Sequence, residues 1–255
     1  PMELVLLPIV ESAFDPFAYS HGRAAGMWQF IPGTGKRFGM QQNWWYDGRR
    51  DVIASTQGAL DYLTYLNEMF DGNWLHALAA YNSGEGRVQR AIKANKRAGK
   101  PTDFWNLNLP KETRAYVPKL LALADILKNK DEYAYSWPEV ENVAVIEVVD
   151  IGSQVDLAFA AELAGMSLKE LHGLNPGFNR WETSPEGPHR LILPLDKAAA
   201  FSQALAKIDQ KERLNWVRHS VKPGDSLGKI AKQYHTTVKV LKKVNELDSS
   251  MIRVG

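Results

Sequence analysis

Leu4-Val5-Leu6-Leu7-Pro8-Ile9-Val10-Glu11-Ser12-Ala13 is an apolar run that carries one carboxylate near its end. Leu4, Val5, Leu7, Ile9 and Val10 surround Glu11 with hydrocarbon, and Asp15-Pro16 then stops the helical pattern. A carboxyl in such surroundings is partly desolvated, which disfavours its charged form and raises its pKa. That is the state a general acid needs near neutral pH. The alternative is a helix-end Glu that simply reaches water. The residues that follow decide between the two.

Composition narrows the classes. Lys plus Arg number 31 against 29 Asp plus Glu over 255 residues, so no strong field points to a nucleic-acid partner. Cys is absent, which excludes disulfides, thiolate metal sites and a Cys nucleophile. The His residues at 21, 76, 172, 189, 219 and 235 lack metal-ligand spacing, and no dinucleotide, phosphate-loop or Gly-x-Ser-x-Gly signature occurs. No metal or cofactor is therefore expected. No run is long enough to span a bilayer and no signal peptide is visible. The chain opens inside an apolar segment and closes at Arg253-Val254-Gly255. It reads as a piece of a longer protein, with any membrane contact made through a removed segment.

The first half carries helical signals only. Pro8 marks a kink or a fresh start in the opening run. A Gly/Ala/Ser-rich loop from Tyr19 to Gly26 leads into Met27-Trp28-Gln29-Phe30-Ile31-Pro32-Gly33. Asp51 is a plausible N-cap for a helix over Val52 to Phe70, and a shorter helix opens at Trp74. Ala80-Tyr81-Asn82-Ser83-Gly84-Glu85-Gly86 either aims a hydroxyl and an amide into a cleft or is an ordinary helix end. Arg87 to Arg97 reads as a basic amphipathic helix. In Lys111 to Lys128, Glu112 and Tyr116 share a face and Pro118 should bend the axis. Trp28, Trp44, Trp45, Tyr46, Trp74, Tyr81, Trp105 and Tyr116 supply more aromatic surface than a core of this size needs, and some of it suits the C–H faces of sugar rings.

The ordered set Glu11-Ser12, Gly26-Met27-Trp28-Gln29, Ala80-Tyr81-Asn82-Ser83-Gly84 and Glu112-Thr113-Arg114-Ala115-Tyr116-Val117 resembles the lytic transglycosylase family over residues 1–130. The resemblance implies a lysozyme-like helical fold with Glu11 as the single catalytic acid/base. It implies that Ser12 and Asn82 support that residue and that the Tyr81 hydroxyl positions its carboxyl. Met27, Trp28, Gln29, Glu112 and Tyr116 are then the glycan-contacting residues. Gly-Met-Trp-Gln stands where Gly-Leu-Met-Gln is usual, and Ser83 where Ala is usual. The implied substrate is the peptidoglycan glycan strand in a bacterial envelope. The implied location is periplasmic, held to the outer membrane by a removed N-terminal lipid anchor. A lysozyme-like hydrolase, or a peptidoglycan-binding protein that cleaves nothing, are the alternatives.

The second half differs. Asp131 to Pro138 is a polar boundary, Val143 to Val149 and Arg190 to Pro194 read as strands, and helices are expected around 157–164 and 168–174, with a polar helix or linker over 196–211. A shift of 70 lays Leu157 on Leu227, Ala161 on Ala231, Leu171 on Leu241 and Asn175 on Asn245, so the pattern occurs twice. The second copy, with Pro223-Gly224-Asp225-Ser226-Leu227 and Asn245, resembles a LysM module, which implies binding of GlcNAc-containing glycan. The first copy lacks Pro-Gly-Asp. The expected class is α+β multidomain: a helical lysozyme-like catalytic domain over 1–130, a linker over 131–142, a LysM-like βααβ domain over 143–211, and a LysM module over 216–255 that lacks its closing strand. The Lys-rich stretch from Lys229 to Lys243 reads as a solvated helix face.

Overall fold

The computed structural model describes residues 1–133, 136, 140–214, 219–234, 236–245 and 247–254, without the side chains at 240, 243 and 244. Parts of the boundary expected over 131–142, the start of the LysM module at 216, and His235 lie outside the described residues. The chain divides into two compact units, Pro1–Leu214 and Asn215–Gly255. The architecture is α+β multidomain.

In the first unit a 3-10 turn over Met2–Leu6 gives way to α1 (Leu7–Ser12). Pro8 lies in the first turn of α1, where its missing N–H costs nothing, so it starts the helix afresh. Leu6 and Leu7 face the helical core. The helix ends on two left-handed non-glycine residues, Ala13 (φ 52°) and Phe14 (φ 62°), whose N–H groups return to the carbonyls of Ile9 and Pro8. Glu11 therefore stands on a short, sharply terminated last turn.

After the loop comes α2 (Pro32–Arg37), then α3 (Val52–Met69), whose N-terminus is capped by Asp51. The buried side of α3 presents Ala59, Tyr62, Leu63 and Leu66; each of its two leucines contributes about 1.5–3 kcal/mol by leaving water. Asn73 caps α4 (Trp74–Ser83). Gly84 (φ 85°) turns the chain directly into α5 (Glu85–Arg97), which begins two residues before the expected Arg87 because Gly84 serves both helices as a cap. Helix α6 (Lys111–Lys128) has the expected bounds, and Pro118 lies within it without ending it. Among described residues before 134, strand pairing is limited to single bridges.

The same unit continues into a βααβ module. Strand β1 (Ile146–Asp150) pairs antiparallel with β2 (Arg190–Pro194), Ile146 opposite Pro194 and Asp150 opposite Arg190. Between them lie α7 (Leu157–Leu163) and α8 (Leu168–Leu174), and α9 (Leu195–Leu205) follows. β1 starts at Ile146 rather than Val143, since only there does β2 offer a partner. Buried Asn175 fastens the layers: its amide donates to the carbonyls of Leu171 and Ile192 and its oxygen accepts from Ile192 N–H. The module's core also contains Tyr46, contributed by the helical half.

In the second unit α10 (Leu227–Gln233), capped by Ser226, precedes α11 (Val238–Val244). The 70-residue repeat holds atom for atom at one point, as the Asn245 amide donates to Leu241 O just as Asn175 donates to Leu171 O. Among the described residues of this unit no strand forms, so Asn245 has no counterpart of the Ile192 ladder to fasten. His219 bridges Asp225 (2.8 Å) and the Tyr234 hydroxyl (3.0 Å).

Candidate active site

Glu11 is half-buried on the last turn of α1 and packs beside α6. Burial pushes its carboxyl up from the usual 4.5 to about 7; a hydrogen bond from Tyr116 lowers it, and the nearby Glu112 charge raises it further. The Tyr116 hydroxyl donates to Glu11 Oε1 at 2.5 Å. Tyr116 is itself buried, and burial together with the adjacent carboxyl drives its phenol well above the usual value, so it stays a donor. The site holds a carboxyl that can be protonated or ionised near neutrality, with one fixed donor for the ionised form.

Ser12 ties this turn to the next loop through a 3.0 Å bond to Met27 O. Gly26 (φ 78°) comes so close to Arg49 O that a Cβ would lie 1.9 Å away, which only glycine permits. Gln29 takes a left-handed φ of 50° and spends its amide N–H groups on the carbonyls of Gly26 (2.8 Å) and Ala18 (3.4 Å). Trp28 is buried in the helical core, with Nε1 on Thr56 Oγ1 at 3.0 Å, while Met27 is half-buried beside it. The whole loop hangs on Arg49, 5% exposed, which pairs with Asp47 at 2.7 Å and donates to Arg23 O and Phe30 O. Arg49 and Asp47 have no assigned part in the sequence reading, in which only Asp51 of this stretch has one, as an N-cap; charged residues flanking a glycine were the available signal.

The remaining residues divide differently from expectation. The Tyr81 hydroxyl donates to Trp28 O at 2.9 Å, and Tyr116 supplies the hydroxyl that meets the carboxyl. Tyr81 still adjoins Glu11, whose charge raises the Tyr81 phenol after burial does. Asn82 accepts from the buried Thr113 hydroxyl (2.8 Å) and donates to Glu112 (3.4 Å), locking the end of α4 to the start of α6. Thus Tyr116 bonds Glu11, Ser12 bonds Met27 O, Asn82 bonds Glu112 and Tyr81 bonds Trp28 O, while Trp28 and Gln29 form the loop's framework. The other nearby acids are engaged elsewhere: Asp15 accepts from Phe17 N–H, Asp47 pairs with Arg49, Asp51 with Arg190 and Glu85 with Arg37.

A family described as the transglycosylase SLT domain matches residues 1–104. The LysM-like domain of lytic transglycosylase MltD matches 145–210, and the LysM domain matches 219–255. Membrane-bound lytic murein transglycosylase D of Escherichia coli (strain K12) is 45% identical over 265 residues, covering 100% of this chain and 59% of the relative. The chain thus spans less than two thirds of that relative. A protein of Alteromonas sp. (strain M-1) named for tributyltin chloride resistance is 41% identical over 157 residues, 62% of this chain and 74% of the relative. The solved 70 kDa soluble lytic transglycosylase of Escherichia coli is 28% identical, with a TM-score of 0.41 over 48% of this chain and 21% of that one. With an SLT domain, an MltD-type LysM-like domain and a LysM domain matched in succession, the chain belongs to the lytic transglycosylase family.

Proposed function

We propose that the chain cleaves the β-1,4 bond between N-acetylmuramic acid and N-acetylglucosamine in murein without consuming water, with Glu11 as the acid and then the base. The observation that supports this reading is that Glu11, in the helical half, is raised to about 7 and accepts from the Tyr116 hydroxyl, while Asp47, Asp51 and Glu85 are ion-paired, Asp15 accepts from Phe17 N–H and the neighbouring Glu112 accepts from Asn82. Most glycosidases divide the work between two carboxylates. A lone carboxyl needs help from the substrate, and the muramoyl N-acetyl group lies within reach of C1. Protonated Glu11 gives its proton to the glycosidic oxygen as the C1–O bond breaks, and the acetamido oxygen stabilises the cationic C1. Glu11, now ionised, takes the proton of the C6 hydroxyl, and O6 bonds to C1 to close a 1,6-anhydro ring. The acid is restored at the end of the cycle, which requires a pKa near the working pH.

On this reading Met27 and Glu112 contact the glycan beside the cut, and Trp28 and Gln29 shape the loop that faces it. Residues 1–130 form the catalytic domain, 131–142 a linker, 143–211 a LysM-like domain, and 216–255 a LysM module that takes GlcNAc-containing glycan. The relatives named as membrane-bound support a bacterial envelope location, with attachment through a lipid anchor outside this sequence. Digestion of murein followed by mass spectrometry tests the reading. Muropeptides one water lighter than hydrolysed ends support it, provided Glu11→Gln reduces their yield at least about a hundredfold. Hydrated ends mean a hydrolase, and intact glycan means a binding protein.

A further inference from the structure

The turn that leaves Glu11 does not end in open solvent. Phe14 and Phe17, three and six residues beyond the carboxyl, keep 50% and 42% of their surface exposed. The Phe17 ring lies 5.3 Å from that of His172, on α8 of the βααβ module. From His172 the contacts continue along the junction of the two halves: His172 Nε2 meets Phe178 O at 3.1 Å, and Asn179 N–H donates to Trp45 O at 2.7 Å. The row closes where the Arg180 guanidinium sits 3.3 Å over the ring of Trp44, which is 40% exposed. Phe14, Phe17 and Trp44 are thus exposed rings, and the contacts that join Phe17 to Trp44 run along the junction through His172, the buried Phe178 and backbone bonds.

Resting on the function proposed above, we propose that this seam is a track for the glycan strand engaged at Glu11. Phe14 and Phe17 receive the apolar C–H faces of pyranose rings beyond the cut, and Trp44, backed by Arg180, holds rings further along. Flat rings suit this because they offer area at little conformational cost, and the strand carries carboxylates on its peptide stems that match the Arg180 cation. The module 145–210 then serves the reaction as one wall of an extended groove.

Binding is measured on the uncleaving Glu11→Gln protein, with long murein glycan strands and with a murein tetrasaccharide as separate probes. Phe17→Leu and Trp44→Leu retain hydrocarbon packing but remove the flat ring. Each is expected to weaken long-strand binding about three- to tenfold and to leave tetrasaccharide binding unchanged. Unchanged long-strand binding in both variants overturns the track, and so does an equal loss for both probes, which signals structural damage near Glu11. Cleavage is scored separately on the unsubstituted chain. Absence of anhydro products there defeats the proposed activity and leaves the binding comparison standing on its own.

Discussion

Glu11 titrates near neutrality because hydrocarbon surrounds it on α1 while Tyr116 offers the ionised form a single hydrogen bond. That bond favours the charged form and holds the pKa down. Tyr116→Phe should therefore raise the pKa of Glu11 above about 7, moving the alkaline limb of the kcat/KM profile to higher pH. It should also lower kcat about tenfold or more, as the carboxylate loses its fixed donor. A pH–rate profile of the variant beside the unsubstituted chain checks both. The aliphatic neighbours in Leu4 to Val10 made a desolvated carboxyl legible but left open a helix-end Glu that reaches water; the later motifs pointed to Glu11 as the proposed acid. Which tyrosine reaches it was not, because Tyr81 and Tyr116 approach from different helices and only packing decides whose hydroxyl arrives.

Among the elements, helices with strong periodicity or caps were readable almost to the residue. α6, α8 and β2 have the bounds their sequence suggests, and Asp51 caps α3 as expected. The loop from Ala13 to Phe30 was not readable, for a physical reason. It is held by left-handed Ala13, Phe14, Arg23 and Gln29 and by carbonyl bonds from Arg49, a residue distant in sequence. Gly26 is its tightest point. Gly26→Ala forces a Cβ into Arg49 O at a positive φ, so the backbone must move. A loss of about 2 kcal/mol or more in stability by urea titration is expected, with loss of murein cleavage from the displaced Met27-to-Gln29 loop.

Within the first unit, the helical half and the βααβ module each have a core, and the helical half sends Tyr46 into that of the module. Tyr46 is 2% exposed and packs on Phe178, Asp47 N–H donates to Gly177 O, and Arg190 pairs with Asp51 at 2.9 Å. From sequence alone these halves are expected as domains joined by a linker, and Trp44, Trp45 and Tyr46 belong to a general aromatic supply, since periodicity inside one segment says nothing of what a protruding turn plugs into. Tyr46→Ala leaves a cavity in the module's core and should cost about 3–5 kcal/mol. Calorimetry should show the helical half and the module losing stability together, because the missing ring belongs to one and fills the other.

The account depends on one carboxyl that gives a proton and takes it back. The direct measurement is a titration of the Glu11 side chain by carbon NMR, read as the difference between the unsubstituted chain and Glu11→Gln. A midpoint near 7, matched by the alkaline limb of murein cleavage, is the predicted result. A midpoint at the ordinary 4.5 would leave Glu11 ionised at working pH and unable to act as the acid.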